Sequence, residues 1–147
     1  MAGDPMKYLL DTNIVSAPFK PAPPPGLMRR LERESERCAI SSLTWHELTF
    51  GCALLPPSRK RSALEGFLRE VVLPTYPILP FGRPEAEWHA QERARLRSKG
   101  QPAPFVDGQI AAVAAVKGLV LVTLNLSDFE VWKDLELEDW RETQGSS

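Results

Sequence analysis

The sequence has few residues that bind soft metals or form disulfides, because it contains only two cysteines and two histidines. Cys38 and Cys52 lack CxxC spacing and a matching pair of histidines, so the sequence predicts neither a zinc site nor a disulfide framework. We expect both cysteines to be small buried hydrophobic residues. His46 and His89 stand alone in predicted helices, where a histidine is more often structural or exposed than catalytic.

A long apolar run and a strong net charge are also missing. No run reaches the roughly 18 residues that span a bilayer, and the N-terminus MAGDPMKYLL has no basic region followed by an apolar stretch. The formal net charge of -1 does not mark a nucleic-acid binder, although net charge says nothing about local patches. For 147 residues we expect one domain over 1–147, with a core of about 7–140, a flexible tail at 141–147 and a cytoplasmic location.

Short apolar segments alternate with helical patterns along the chain. The apolar segments predict strands at 7–11, 38–41, 77–81 and 119–123. Helices are predicted at 24–36, within SSLTWHELTFGCALL after a Ser41 or Ser42 cap, and at 58–72, 84–99 and 105–117. The alternation predicts an α/β fold with a central, mainly parallel sheet flanked by helices.

Three aspartates stand at predicted element ends. Asp11 follows the first strand, Asp128 lies beyond the strand at 119–123, and Asp107 occupies the first turn of an apolar helix. In parallel α/β sheets, sites form outside the carboxyl ends of strands. Each aspartate taken alone could instead be a helix cap or a turn residue.

Glu47 shares one stripe of its predicted helix with Leu43, Phe50 and Leu54, because these positions return to nearly the same face. We therefore predict that Glu47 lies on the apolar side of the helix. An unpaired ionised carboxylate there would be unfavourable by several kcal/mol, so it needs a cationic partner or a function. The alternative is that the buried face of the helix is a different one.

Several carboxylates gathered at one sheet edge repel each other, and they stay ionised together only with a cation among them. Oxygen ligands without a nearby cysteine or histidine suit Mg²⁺ or Mn²⁺ rather than zinc. Such a site is typical of phosphodiester hydrolysis.

Four segments resemble one family in order and spacing: LLDTNIVS, SSLTWHELTFG, PFVDGQIAAVAAVK and GLVLVTLNLSDFE. From about Lys7 to Phe129, the chain resembles the PIN-domain ribonucleases of VapC type, toxins of VapBC toxin–antitoxin pairs that include FitB-like members. The resemblance implies a PIN-like three-layer fold and a Mg²⁺-dependent endoribonuclease. It further implies a cognate VapB-like antitoxin as partner, an RNA substrate, a homodimer and no membrane association.

The same resemblance implies the site residues. The catalytic acids would be Asp11, Glu47, Asp107 and Asp128, with Asp11 and Asp107 as direct metal ligands and the other two binding directly or through water. The accessory polar residues would be Thr12, Asn13 and Asn125. One position departs from the family pattern, since Leu124 stands where many relatives carry arginine.

An acidic site needs a basic rim to bind the phosphate backbone of RNA. The sequence offers Arg59, Lys60, Arg61, Arg93, Arg95, Arg97 and Lys99. The alternative is an ordinary solvated helix face. We expect the antitoxin to lie in a groove between the helices near 24–36 and 42–72 and to offer an arginine to the acids.

Two other functions stay open at this point. The chain could be a non-cleaving PIN-fold binding module in a DNA-binding toxin–antitoxin complex of FitAB type. It could also be an aspartyl phosphatase of haloacid-dehalogenase type with Asp11 as nucleophile, although Asn13 stands where that class carries its second acid.

Overall fold

Five short strands form one parallel sheet in the computed structural model, which describes residues 5–141. The strands are β1 (Tyr8–Leu10), β2 (Cys38–Ser41), β3 (Ile78–Leu79), β4 (Val120–Val122) and β5 (Leu137–Glu138). Their order across the sheet is β3-β2-β1-β4-β5, and every neighbouring pair is parallel. The predicted α/β fold with a central parallel sheet is confirmed, and β5 is a strand that the sequence patterns did not indicate.

Helices connect the strands and cover both faces of the sheet. They are α1 (Thr12–Val15), α2 (Pro25–Glu34), α3 (Ser42–Ala53), α4 (Arg59–Phe67), α5 (Leu73–Thr75), α6 (Arg83–Ser98), α7 (Phe105–Lys117) and α8 (Leu126–Phe129). Short 3₁₀ turns span Ala17–Phe19 and Ser35–Arg37, and a π-helical segment, Leu68–Val72, continues α4. The helix predicted at 58–72 is thus present, but its last turn is wider than an α-helical one.

The side chains of β1 alternate between two cores. Tyr8 and Leu10 face a core shared with α2, α3 and the π-helical segment, whereas Leu9 faces a core built from α6, α7 and α8. This alternation makes the three layers of the fold. Both cysteines, Cys38 and Cys52, are free and buried, as expected.

The buried face of α3 differs from the prediction. Thr44, Leu48 and Cys52 point into the core, while Phe50 is 55% exposed and Leu54 is 68% exposed. The prediction that Glu47 lies on the core-facing side is therefore wrong, because the apolar stripe that it shares faces outward.

The chain changes direction across the sheet at β1. From β1 it adds β2 and β3 on one side, and it then returns to place β4 on the other side of β1. Leu10 pairs with Val122, so the residues that follow them, Asp11 and Thr123, are neighbours at the carboxyl edge. Such switch points leave a crevice in which ligands bind.

Two sequence-based expectations concern the chain as a whole. Among residues 5–141, no helix has the length and apolar character that crossing a bilayer requires. The predicted tail at 141–147 lies outside the described residues except for Arg141, whose guanidinium donates to the Leu124 carbonyl at 3.2 Å.

Candidate active site

Asp11 is buried at the end of β1, where it caps the N-terminus of α1. Its Oδ1 accepts from the Thr12 backbone N–H at 2.8 Å, and its Oδ2 accepts from the Thr123 hydroxyl at 2.8 Å. Burial, with only 7% of the residue exposed, raises the pKa of Asp11, the two hydrogen bonds oppose this, and the nearby Glu47 and Asp128 charges raise it again. The carboxylate is therefore fixed in orientation, and the nearby negative charges of Glu47 and Asp128 repel its own charge.

Thr12 connects Asp11 to Glu47. Its backbone N–H donates to Asp11, and its hydroxyl donates to Oε1 of Glu47 and lies 3.3 Å from the Thr44 hydroxyl. Glu47 stands on the exposed face of α3 and reaches the site from there. Thr12, predicted only as an accessory polar residue, thus orients two of the four acids.

Asp107 is half-buried in the first turn of α7. Burial is the main cause that raises its pKa to about 6, and the charges of Asp11, Asp128 and Glu47 raise it further. Within residues 5–141 its carboxylate has no hydrogen-bonded or ion-paired partner. The charges of Asp11, Asp128 and Glu47 all act on Asp107, so the four carboxylates lie within electrostatic range of one another.

Gly108 brings the start of α7 close to its neighbours. A Cβ at this position would lie 2.5 Å from Nε2 of His89 and 2.5 Å from the Trp132 ring. Only glycine allows this approach, which sets how deeply the adjacent Asp107 lies. His89 is buried against Phe105 and Trp132, consistent with a structural histidine.

The segment after β4 forms the rim of the site. The Thr123 hydroxyl, which donates to Asp11, accepts from the Asn125 backbone N–H at 3.0 Å, and Asp128 follows in the exposed first turn of α8. Asn13 accepts from the Leu124 backbone N–H at 3.4 Å and so ties the ends of β1 and β4 together. Leu124, the position that departs from the family pattern, packs against the core.

The four carboxylates have no cationic partner in the described part of the chain, where none of them forms a salt bridge. In the same residues, no group of three or more histidine, cysteine, aspartate or glutamate side chains is placed to hold a metal ion by itself. As placed, therefore, no three of the four carboxylates converge on one ion, and the site offers oxygen donors that lie near one another. Chemically, such a cluster can attract a hard divalent cation that keeps water molecules as its remaining ligands.

Thr123 was missed in the prediction of the site residues, although it is fully buried and holds Asp11 directly. The register of two adjacent parallel strands could have found it, because each strand is followed by one polar residue at the same height. Strand order, however, cannot be read from the apolar segments alone.

The seven basic candidates differ in whether their side chains already bind other residues of the chain. The guanidinium of Arg95 donates twice to Glu92 and once to the Val131 carbonyl, each at 2.9 Å. Arg61 donates to the Leu55 carbonyl and to Glu65. Five others form no ion pair with the described residues: Arg59, Lys60, Arg93, Arg97 and Lys99. The hydrogen bonds of Arg61 and Arg95 make these two residues poorer candidates for binding RNA than the other five.

The chain is similar to known proteins in both sequence and structure. A sequence model of the PIN domain matches residues 8–131. The tRNA(fMet)-specific endonuclease VapC of Salmonella typhimurium is 35% identical over 136 residues, which cover 92% of this chain and 98% of that protein. Toxin FitB of Neisseria gonorrhoeae is 35% identical over 124 residues, 82% of this chain and 89% of that protein. The solved structure of FitAB bound to an IR36 DNA fragment superposes with a TM-score of 0.84 at 28% identity, covering 95% of this chain and 99% of that chain.

Proposed function

Because this chain belongs to the PIN-domain family, we propose that it is a divalent-metal-dependent endoribonuclease and the toxin of a type II toxin–antitoxin pair. The observation that carries the proposal is the cluster of four acids at the switch point of the sheet, with Asp11 and Asp107 at its centre. We propose a cytoplasmic location, because the RNA that such an enzyme would cut is found there.

The residues of the cluster fit a hard divalent ion. All available donors are oxygens. Burial and the charges of the other acids raise the pKa values of Asp11 and Asp107, so a cation among these carboxylates would be favourable. Mg²⁺ binds through one or two carboxylates and retains several waters, so it does not require three protein ligands. We propose Mg²⁺ as the ion, with Mn²⁺ as a substitute.

Each acid has a role in this proposal. Asp11 and Asp107 bind the ion directly, and the more exposed Glu47 and Asp128 bind it directly or through water. The ion, when bound, polarises the phosphate and lowers the pKa of the attacking water. Thr12 and Thr123 keep the carboxylate of Asp11 fixed by donating to its two oxygens, so that it needs no rearrangement when the ion binds.

The accessory polar residues support the rim. Asn13 holds the loop after β4 through the Leu124 backbone N–H, and Asn125 begins the turn that carries Asp128. We propose that they set the width of the opening rather than bind the ion.

We infer a cognate VapB-like antitoxin that binds to the outer face of α3. A cavity of about 310 Å³ lies between α3 and the α4 region and is lined by Trp45, Leu68 and Leu73 among others. Phe50 and Leu54 extend the exposed apolar surface on α3. No residue of α2 lines this cavity, so only the second half of the predicted groove between 24–36 and 42–72 is supported. The proposed homodimer rests on the family resemblance alone.

Cleavage of RNA by the purified, antitoxin-free protein tests the function. We expect cutting with Mg²⁺ or Mn²⁺ and none with a chelator. Asp11→Asn and Asp107→Asn should abolish cutting while circular dichroism shows an intact fold. Asp134→Asn is the matched control, because Asp134 is an exposed acid outside the cluster and asparagine tolerates its positive φ of 59°. Undiminished cleavage by either site variant would refute the assignment.

A second candidate function is a non-cleaving module in a DNA-binding complex. It is favoured by the structural similarity to FitAB, which was solved with a DNA fragment. DNA binding together with the antitoxin, without RNA cleavage under any metal, would select it. The aspartyl-phosphatase alternative is discarded, because the chain belongs to a different family.

A further inference from the structure

A basic groove runs along the C-terminal half of α6. Arg93 and Arg97 are one helical turn apart and line a cavity of about 640 Å³ together with Ala90 and Ala94. Gln101, in the loop after α6, also lines this cavity. Two arginines on one face of α6 therefore border the groove.

The two arginines are available for a ligand. Neither forms an ion pair with the residues at 5–141, in contrast to Arg95 between them, which is committed to the buried Glu92. The guanidinium of Arg93 lies 4.7 Å from the centre of the Phe105 ring, which holds it in place without neutralising its charge. An arginine ordered in this way loses little conformational entropy on binding an anion.

The groove adjoins a cavity that reaches the acidic site. Pro102 and Ala103 line both this groove and that second cavity, which Ser127 and Asp128 also line. Phe105, the partner of Arg93, is the first residue of α7, two positions before Asp107. The two cavities meet at the loop at 102–104, so a strand that extends from Asp128 past this loop enters the groove.

We propose that this groove binds the backbone of the RNA strand next to the phosphate that is cleaved. Arg93 and Arg97 contact backbone phosphates, since a guanidinium matches the geometry of phosphate oxygens. Phe105, which is 50% exposed, offers a surface on which a base stacks. This subsite rests on the proposed nuclease function, and it supplies the positive charge that the acidic cluster lacks.

Binding of a labelled short single-stranded RNA of random sequence tests the groove. The measurement is fluorescence anisotropy at several salt concentrations, with the cleavage-inactive Asp107→Asn protein as background. Adding Arg93→Gln and Arg97→Gln together should weaken binding about 10-fold to 100-fold and make the slope of log K against log salt shallower by about 1.4, for two phosphate contacts. Arg29→Gln with Arg33→Gln removes the same charge from two exposed arginines that are one helical turn apart on α2, and it should leave affinity within about twofold.

Equal effects of the groove pair and the control pair would overturn the inference, because binding would then follow net charge alone. A groove that bound duplex DNA and not the RNA strand would overturn it as well. These outcomes are separable from failure of the proposed function. If the unmodified protein cuts RNA with Mg²⁺ but the groove variants bind RNA normally, only the groove assignment fails. If the protein never cuts RNA, the nuclease proposal fails.

Discussion

The carboxylate cluster should make the metal-free protein less stable, and Asp107→Asn should relieve this. The unfolded value of this carboxyl is 3.8, and the native state raises its pKa to about 6. Between these values the native state holds a proton that the unfolded state has lost. Its contribution to stability is therefore present at low pH and is lost as the pH rises through about 6.

The size of the effect follows from the two pKa values. The gap between 3.8 and about 6 corresponds to about 3 kcal/mol at about 1.4 kcal/mol for each tenfold change. Because Asp107 is only half-buried, water screens part of this energy, and we expect about 1.5 kcal/mol. Asparagine keeps the volume and loses no partner, since the Asp107 side chain has none among residues 5–141.

Urea unfolding in chelator measures the difference. Asp107→Asn should be about 1.5 kcal/mol more stable than the unmodified protein at about pH 7.5, and the advantage should shrink to about 0.5 kcal/mol or less at about pH 4.5. Adding Mg²⁺ should stabilise the unmodified protein more than the variant. The exposed Asp134→Asn control should show neither effect. An Asp107→Asn protein with no advantage at about pH 7.5, or with the same advantage at both pH values, would refute the reasoning.

Three further changes test how the site is held. Gly108→Ala places a methyl group against His89 and Trp132, so urea unfolding should show a loss of about 1–3 kcal/mol and cleavage should slow. Thr123→Val removes the hydroxyl that donates to Asp11, so the free energy of unfolding should fall by about 1–3 kcal/mol and kcat should decrease with little change in KM. Glu92→Gln should lower the melting temperature measured by circular dichroism, and the difference should narrow as the pH falls below 4.5, because the hydrogen bond from Arg95 lowers the pKa of Glu92.

For each of these three predictions, one result would refute the reasoning. If Gly108→Ala leaves the stability unchanged, α6 and α7 can move apart at this contact without loss of stability. Unchanged kcat in Thr123→Val would show that Asp11 needs no fixed orientation. If the difference in melting temperature between Glu92→Gln and the unmodified protein does not depend on pH, the negative charge of Glu92 does not contribute to stability.

The central strands could be predicted because they are apolar runs between polar or breaking residues. The segment at 38–41 coincides with β2, and the segment at 119–123 extends β4 by one residue at each end. The ends of β1 and β4 place Asp11 at one edge of the sheet and begin the segment that leads to Asp128 in α8, since side chains after parallel strands share one edge. Local patterning was sufficient here because burial on both faces leaves a continuous apolar signal.

The orientation of α3 could not be predicted from its own residues. Its apolar stripe contains Phe50 and Leu54, yet the core receives Thr44, Leu48 and Cys52. Periodicity shows that a face is apolar and does not show whether the core or a partner covers it. Glu47 reaches the site in spite of this error, through its contact with Thr12.

Strand β5 was missed for a different reason. It consists of Leu137 and Glu138, and among residues 5–141 it pairs with β4 alone. Two residues carry no alternation that can be distinguished from a loop. Its existence depends on a neighbouring strand that is already in place.

The pairing of β1 with β4 has a consequence for when the candidate site forms during synthesis. Asp11 and the hydroxyl that anchors it are 112 positions apart in the chain. During translation, Asp11 is made long before Thr123, the residue that fixes its orientation. The candidate site therefore stays incomplete while the chain grows, and it forms only after β4 has been made and has paired with β1.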